Sequence, residues 1–261
     1  MITTLALFGE HIQQSYSPIF HQHFAQQFGI EIDYQKITVT NETFTSAWKR
    51  FVQNGGKGAN VTMPCKNQAY HLCTTISTRA QKAESVNTIR IDSEGEWFGD
   101  STDGVGFIQD LVNYYRHELT VKKVLILGAG GAASGILYSI LEQNPHSIMV
   151  ANRTLSRAEL LAERYPQINI CNFENIPLTP FDVVINASAD LPLPILRILF
   201  APKAVAYDLR YTPIAQDFLE WTRQQGAESS YDGYGMLLEQ AAAAFEVWFG
   251  QRPSTAQLRV K

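Results

Sequence analysis

At 261 residues the chain has room for one large domain or two medium ones, and 45% hydrophobic with 18% charged residues is ordinary for a globular protein with a sizeable core. A formal charge of −4 with no Lys/Arg run excludes an electrostatic grip on a nucleic-acid backbone and leaves small molecules and small anions as partners. No apolar run reaches membrane-spanning length and the opening Met1-Ile-Thr-Thr lacks a basic start, so a cytoplasmic protein without membrane contact is expected.

In chain order, Leu5 to Gly9 reads as a strand, followed by a polar loop from His11 to Ser17. Ser17-Pro18 supplies an N-cap with proline at the first helical position, Phe20, Phe24 and Phe28 share one face, and Gly29 closes this helix. Further strands are expected at Asp33 to Val39, Ala59 to Thr62 and Val86 to Ile91, with a helix from Thr43 to Gln53 ended by Gly55-Gly56. The alternation predicts a mainly parallel sheet. After Gly99-Asp-Ser-Thr-Asp-Gly104 come a helix to Arg116, the strand Lys123 to Leu127, a second helix and the strand Ile148 to Ala151. Strands at Asp182 to Asn186 and Ala204 to Leu209, with helices near Pro194 to Phe200 and Pro213 to Gln225, complete a doubly wound unit. A strong helix from Leu237 to Phe249, capped by Gly250, carries an apolar stripe through Leu237, Ala241, Ala244 and Trp248.

The stretch Gly58-Ala-Asn-Val-Thr-Met-Pro-Cys-Lys66 places an amide, a hydroxyl and an amine along one strand-like turn, a set suited to a hydroxylated substrate. Pro64 stiffens the segment and so aims Lys66, although a lone lysine after a strand is as a rule a solvated surface residue. Cys65, Cys73 and Cys171 are odd in number and lack CxxC spacing, so reduced thiols are the default. Cys65 has no histidine in a partnering motif and reads as a small hydrophobe, not a nucleophile. The six histidines form no ligand pattern, and no metal is expected.

Lys123 to Leu127 runs directly into Gly128-Ala-Gly-Gly-Ala-Ala133. A strand feeding a glycine-rich turn and a helix is a pyrophosphate cradle, with Ala133 in the third position of a GxGxxA pattern; the alternative is a tight turn with no ligand. After the next strand an NAD site usually places an acid, but the chain reads Asn152-Arg153-Thr154-Leu-Ser-Arg157. Two guanidiniums and a hydroxyl suit a 2′-phosphate, so NADP is expected over NAD, with Arg157 otherwise a solvated helix residue.

Ser15-Tyr-Ser-Pro18, Gly58 to Lys66, Val86-Asn-Thr88, Gly99 to Gly104, Gly128 to Ala133, Asn152 to Thr154 and Asp232 to Gln240 resemble, in sequence order, HSxSP, GANVTxPxK, AVNT, GDNTDG, GAGGAA, NRT and DGLGMLxxQAA of the shikimate dehydrogenase family. The resemblance covers nearly the whole chain. It implies NADP-dependent, reversible reduction of 3-dehydroshikimate to shikimate in aromatic amino acid biosynthesis. The implied fold is α/β with two domains. An N-terminal α/β substrate domain spans 1–103 and is rejoined by a C-terminal helical return at 236–261; a Rossmann-type nucleotide domain spans 104–235. Monomer and homodimer both stay open.

Residue roles follow from the same resemblance. Lys66 is the candidate acid/base and Asp103 orients it, or Lys66 only binds and polarises while water takes the proton. Ser15, Ser17 and Tyr211 match positions that hold the substrate carboxylate, and Thr62, Asn87 and Gln240 match positions that bind ring hydroxyls. Gly128, Ala129, Gly130, Gly131 and Ala132 are expected on the pyrophosphate, Asn152, Arg153, Thr154 and Arg157 on the adenosine phosphate end, and Leu209 and Gly233 against the nicotinamide. The chain departs from the family pattern at Gln14, Ser101, Glu84-Ser85 in place of Gly-Ala, Tyr234, and Asn186-Ala-Ser-Ala-Asp190 in place of NATSxG. The last two leave the cofactor contacts less secure than the substrate contacts. Quinate or NAD use, and a non-catalytic sensor of similar ligands, are the alternatives.

Overall fold

The computed structural model describes residues 2–259. The chain divides into two compact units, one running to Gly106 and resuming at Leu238, the other Phe107–Leu237.

In the first unit, β1 (Thr3–Gly9), β2 (Ile32–Thr38), β3 (Gly58–Val61), β4 (Thr75–Ile76), β5 (Thr88–Ile91) and β6 (Trp97–Asp100) form one sheet in the order β2-β1-β3-β5-β6-β4. The sheet is mainly parallel, as the alternation predicts: β1, β2, β3, β4 and β6 run the same way, and β5 alone is reversed, antiparallel to both β3 and β6. Loop length explains the reversal between β5 and β6. Only residues 92–96 join β5 to β6, too few for a parallel crossover, and Asp92 Oδ1 closes the hairpin by accepting from the Glu94 and Glu96 N–H groups.

Four helices accompany this sheet: α1 (Ser17–Gln27), α2 (Phe44–Gln53), α3 (Lys66–Leu72) and α4 (Thr78–Ala83). The last two escape a periodicity reading because six or seven residues hold under two turns. Ser17 is the first residue of α1 and not its N-cap; Ser15 Oγ instead accepts from the Ser17 N–H at 3.2 Å. The core is aromatic, with Phe8 meeting Phe44, Trp48 and Phe51 at ring distances of 5.7, 5.8 and 5.5 Å. The C-terminal helix α9 (Tyr234–Phe249) adds Phe245, stacked 5.7 Å from Phe28, and Trp248, whose Nε1 donates to the Ile89 carbonyl of β5. Its Glu239 collects Thr255, Arg252 and Arg259, which fastens the residues after the helix.

In the second unit, β7 (Lys123–Leu127), β8 (Ser147–Ala151), β9 (Asn169–Cys171), β10 (Phe181–Asn186), β11 (Phe200–Asp208) and β12 (Ser229–Tyr231) form a wholly parallel sheet in the order β12-β11-β10-β7-β8-β9. Period-2 alternation along β7 sends Val124 and Ile126 into one core cluster and Leu125 and Leu127 into the other, so both faces are covered. The helices are α6 (Gly131–Leu141), α7 (Leu155–Arg164) and α8 (Gln216–Gln224), while α5 (Asp103–Ile108) begins in the first unit and is extended by a π-helical turn at Gln109–Tyr114. The helix expected near Pro194 to Phe200 is only a 3₁₀ turn, Leu193–Ile195, and Phe200 already belongs to β11. Pro192 and Pro194 remove two N–H donors there, and Leu196 and Ile198 are buried from an extended segment. The strand order reverses between β7 and β10, which is where open α/β sheets bind nucleotides at the carboxyl ends of their strands.

Candidate active site and nucleotide site

In the first unit, β3 and the turn after it deliver Lys66 as the first residue of α3, past a cis Met63–Pro64 peptide. Lys66 Nζ donates to Asp103 Oδ2 at 2.6 Å, with side chains only 21% and 12% exposed. The other carboxylate oxygen, Asp103 Oδ1, accepts from Asn87 Nδ2 at 2.9 Å. The same amide nitrogen also reaches Thr102 Oγ1 and Gln240 Oε1, and Asn87 Oδ1 accepts from the Thr102 N–H at 2.9 Å. Lys66, Asn87, Asp103 and Gln240 therefore meet in one polar cluster, with Asn87 and Asp103 buried and Lys66 and Gln240 half-buried, in which an amine and a carboxylate are locked against one another. Ser15 Oγ and Ser17 Oγ lie 3.1 Å apart at the start of α1. Thr62 follows β3, its N–H donating to the Phe8 carbonyl at 2.8 Å, and its methyl group fills the space a Cβ on Gly9 would need. Tyr34 donates to Asn60 Oδ1 at 2.7 Å, and burial pushes its hydroxyl well above the usual range against an opposing hydrogen bond with Ser17.

Motif reading takes Asn60 only as the amide of the Gly58 to Lys66 stretch and assigns no role to Thr102 or Tyr34, although Thr102 lies inside the GDSTDG stretch. Their link to the cluster is a matter of three-dimensional hydrogen bonding, and single positions in a motif do not announce it.

In the second unit, Gly128 follows β7 at φ +114°, and a Cβ on it would lie 2.9 Å from the Ala187 carbonyl oxygen after β10. Only glycine fits this close approach. At Gly130 and Gly131 a Cβ would meet nothing within 4 Å, so the backbone before α6 is open, and no side chain caps that helix. Asn152 Oδ1 accepts from the Ala129 N–H at 3.2 Å while its Nδ2 donates to the Thr154 carbonyl at 2.7 Å. The Asn152 side chain thus ties the glycine turn to the segment after β8, while Arg153, Thr154, Arg157 and Ala132 are exposed. Arg153 faces Asp190 at 3.6 Å.

The atypical loop after β10 has its own support. Asn186 Oδ1 accepts from the Ser188 N–H, Asn186 Nδ2 donates to Asp208 Oδ2, and Arg210 donates to both oxygens of Asp208 and to the Ala189 carbonyl. Leu209 hangs on this frame through its N–H to the Asn186 carbonyl at 2.9 Å. Gly233 packs its backbone against the Leu209 carbonyl, and Gly235 against Asp110, so neither admits a side chain. Asp110 in turn accepts from the buried Tyr207 hydroxyl at 2.6 Å. Tyr211 is half-buried and belongs to this second unit. Among the described residues no cluster of His, Cys, Asp and Glu is suited to a metal ion.

Family models match in three consecutive stretches: the shikimate dehydrogenase substrate binding domain at residues 7–89, shikimate / quinate 5-dehydrogenase at 110–198, and the shikimate 5′-dehydrogenase C-terminal domain at 233–259. The chain belongs to the shikimate dehydrogenase family. Relatives named shikimate dehydrogenase (NADP(+)) include that of Halorhodospira halophila, 41% identical with 96% of this chain and 94% of the relative covered. That of Colwellia psychrerythraea is 43% identical over 95% of this chain and 91% of its own. Among solved structures, an Ael1 enzyme from Pseudomonas putida superposes with a TM-score of 0.88 at 34% identity, covering 98% of this chain and 96% of that one. Shikimate 5-dehydrogenase from Thermus thermophilus, solved with NADP(H) and shikimate, gives 0.85 at 28% identity, covering 97% and 96%.

Within this shikimate dehydrogenase fold the second unit's residues fit NADP. The backbone at Gly130 and Gly131 is open to a pyrophosphate, and the residues after β8 present two exposed guanidiniums and no acid of their own.

Proposed function

We propose that this chain catalyses the NADP-dependent, reversible reduction of 3-dehydroshikimate to shikimate, on the path to aromatic amino acids. The observation that carries the reading is the half-buried Lys66–Asp103 pair with Asn87 and Gln240 on the same cluster. NADPH, when bound, supplies the hydride. Lys66 supplies the proton that the reacting oxygen gains during reduction, and takes it back during oxidation. Asp103 fixes the amine at 2.6 Å and offers its carboxylate to the neighbouring hydroxyl. Thr62, Asn87 and Gln240 bind ring hydroxyls, because a trihydroxylated ring needs groups that both donate and accept. Ser15 and Ser17 offer adjacent hydroxyl donors to the carboxylate, and Tyr211 is the third donor assigned to that anion.

For the cofactor, the backbone from Gly128 to Ala132 receives the pyrophosphate, and Arg153, Thr154 and Arg157 the 2′-phosphate end. Asn152 shapes that surface by tying the glycine turn to Thr154. Leu209 and Gly233 pack against the nicotinamide. Among the described residues no helix is long and apolar enough to cross a membrane. We place the enzyme in the cytoplasm, as a monomer or homodimer. Its free cysteines support a reducing compartment, and burial pushes Cys65 up to about 11 and Cys73 up to about 12, which speaks against a nucleophilic thiol.

Replacing Lys66 by alanine tests the assignment. Turnover should fall roughly 10²–10⁴-fold, as expected for loss of a general acid, while NADP affinity stays unchanged. Unchanged turnover in a folded Lys66→Ala protein would remove the acid/base role.

A further inference from the structure

His21 lies in α1 and has no role in the chemistry described above, yet it is fully buried. Its ring stacks 4.8 Å from Tyr34 and lies 4.8 Å from Trp248 and 6.5 Å from Phe245. Packing alone would be served by phenylalanine, which carries no cost for burying a polar ring. The imidazole makes one hydrogen bond, Nε2 to Asn60 Oδ1 at 3.0 Å, and among the described residues Nδ1 has no partner.

The direction of that bond is set by its surroundings. Asn60 Nδ2 lies 3.3 Å from the Asn87 main-chain carbonyl, which can only accept. The amide nitrogen of Asn60 must therefore point to Asn87 and its oxygen to His21, so the His21 proton sits on Nε2. Burial agrees with a neutral ring, lowering His21 to about 3.

From Asn60 the bonds continue with one polarity. Asn60 Nδ2 donates to Thr88 Oγ1 at 3.3 Å, Thr88 Oγ1 donates to Asn87 Oδ1 at 3.0 Å, and Asn87 Nδ2 donates to Asp103 Oδ1 at 2.9 Å. Every donor hydrogen in the series points toward the Asp103 carboxylate. Lys66 meets that carboxylate from the other side. Asn60, Thr88, Asn87 and Asp103 are all buried, so water does not compete for these donors and each bond fixes the next side chain.

We propose that His21 is a positioning residue for the Lys66–Asp103 pair: beside Tyr34, which donates to the same Asn60 Oδ1 at 2.7 Å, it sets the orientation of Asn60 and, through Thr88 and Asn87, that of the Asp103 carboxylate. The proposal rests on the reading of Lys66 and Asp103 as the chemical centre. It assigns His21 no contact with substrate or cofactor.

The test uses the full chain with His21→Phe, His21→Gln, Thr88→Val and the His21→Phe/Thr88→Val double variant, each confirmed folded by its melting curve. Phenylalanine keeps the ring and loses the donor; glutamine places an N–H near the same point. His21→Phe and Thr88→Val should each lower kcat about tenfold with KM for NADP unchanged, the effect of losing one buried hydrogen bond at a fixed site. The double variant should lose no more than either single one, because both cut the same chain. His21→Gln should recover activity to within about twofold of the native protein. The side-chain amide resonances of Asn87, followed by ¹⁵N NMR without substrate, should move in His21→Phe and return in His21→Gln. Additive losses, or unmoved Asn87 resonances in folded His21→Phe, would overturn the proposal. If the native protein fails to turn over shikimate while the Asn87 resonances respond as described, the catalytic reading falls and the positioning chain stands.

Discussion

The guanidinium of Arg153 lies 3.6 Å from the carboxylate of Asp190, and both side chains are mostly in solvent, 77% and 85% exposed. Such an ion pair contributes about 0–1 kcal/mol at most and is readily exchanged for a better anion. A 2′-phosphate offers more charge and paired acceptor oxygens to the same fork of donors. Arg153→Ala should therefore weaken NADP binding at least about tenfold and leave NAD within about twofold, read by titrating nicotinamide fluorescence. Asp190→Asn should tighten NADP slightly, since it removes the competing carboxylate. Equal losses for both nucleotides in Arg153→Ala would contradict the 2′-phosphate assignment. The guanidiniums after β8 are legible from the sequence, whereas Asp190 facing Arg153 is not, because it arrives from a loop 37 positions further on.

The short helix α4 shows what a departure from a family pattern means for an element. It ends at Ala83, and its C-cap Glu84 is left-handed at φ 49°, ψ 41°. The family pattern has glycine at this position. A side chain in that region costs roughly 1–2 kcal/mol, partly offset by the greater unfolded-state freedom of glycine. Glu84→Gly should raise the melting temperature by about 1–4 °C, with turnover unchanged, and calorimetry would detect it. A lower melting temperature would mean that the glutamate's own contacts outweigh the strain. Long amphipathic or well-capped elements such as α1, α2 and α9 are readable because periodicity and end signals agree, with Gly29 at φ +63° just past α1. The elements α3, α4, β4 and β12, of two to seven residues, carry too few side chains to show a period. The proline-flanked segment at 192–198 misleads for the opposite reason, since its apolar residues are buried without a helix.

For the whole molecule, the mainly parallel course of both sheets follows from the strand–helix alternation, and the reversal of β5 in the first does not, because a five-residue hairpin loop between β5 and β6 decides its direction. The paired carboxylate and amine are legible as motif residues, but the hydrogen-bond chain behind them joins residues from α1 to α5 and exists only in the folded chain. The same buried His21 ties stability to acidity. Burial lowers it from 6.5 to about 3, opposed by its bond to Asn60, so the unfolded chain binds the proton more readily than the folded one. Its contribution is fully present above about pH 6.5 and is lost toward pH 3, at about 1.4 kcal/mol per pH unit. The native melting temperature should fall from pH 6.5 to 4.5 more steeply than that of His21→Phe, and parallel curves would contradict the neutral buried ring. The most direct test of the central claim is the initial rate of NADP-linked oxidation of shikimate by the purified protein, read as reduced nicotinamide absorbance, beside quinate and beside NAD. Fast turnover confined to shikimate with NADP is the predicted result; comparable rates with quinate or NAD, or no turnover by folded protein, would contradict it.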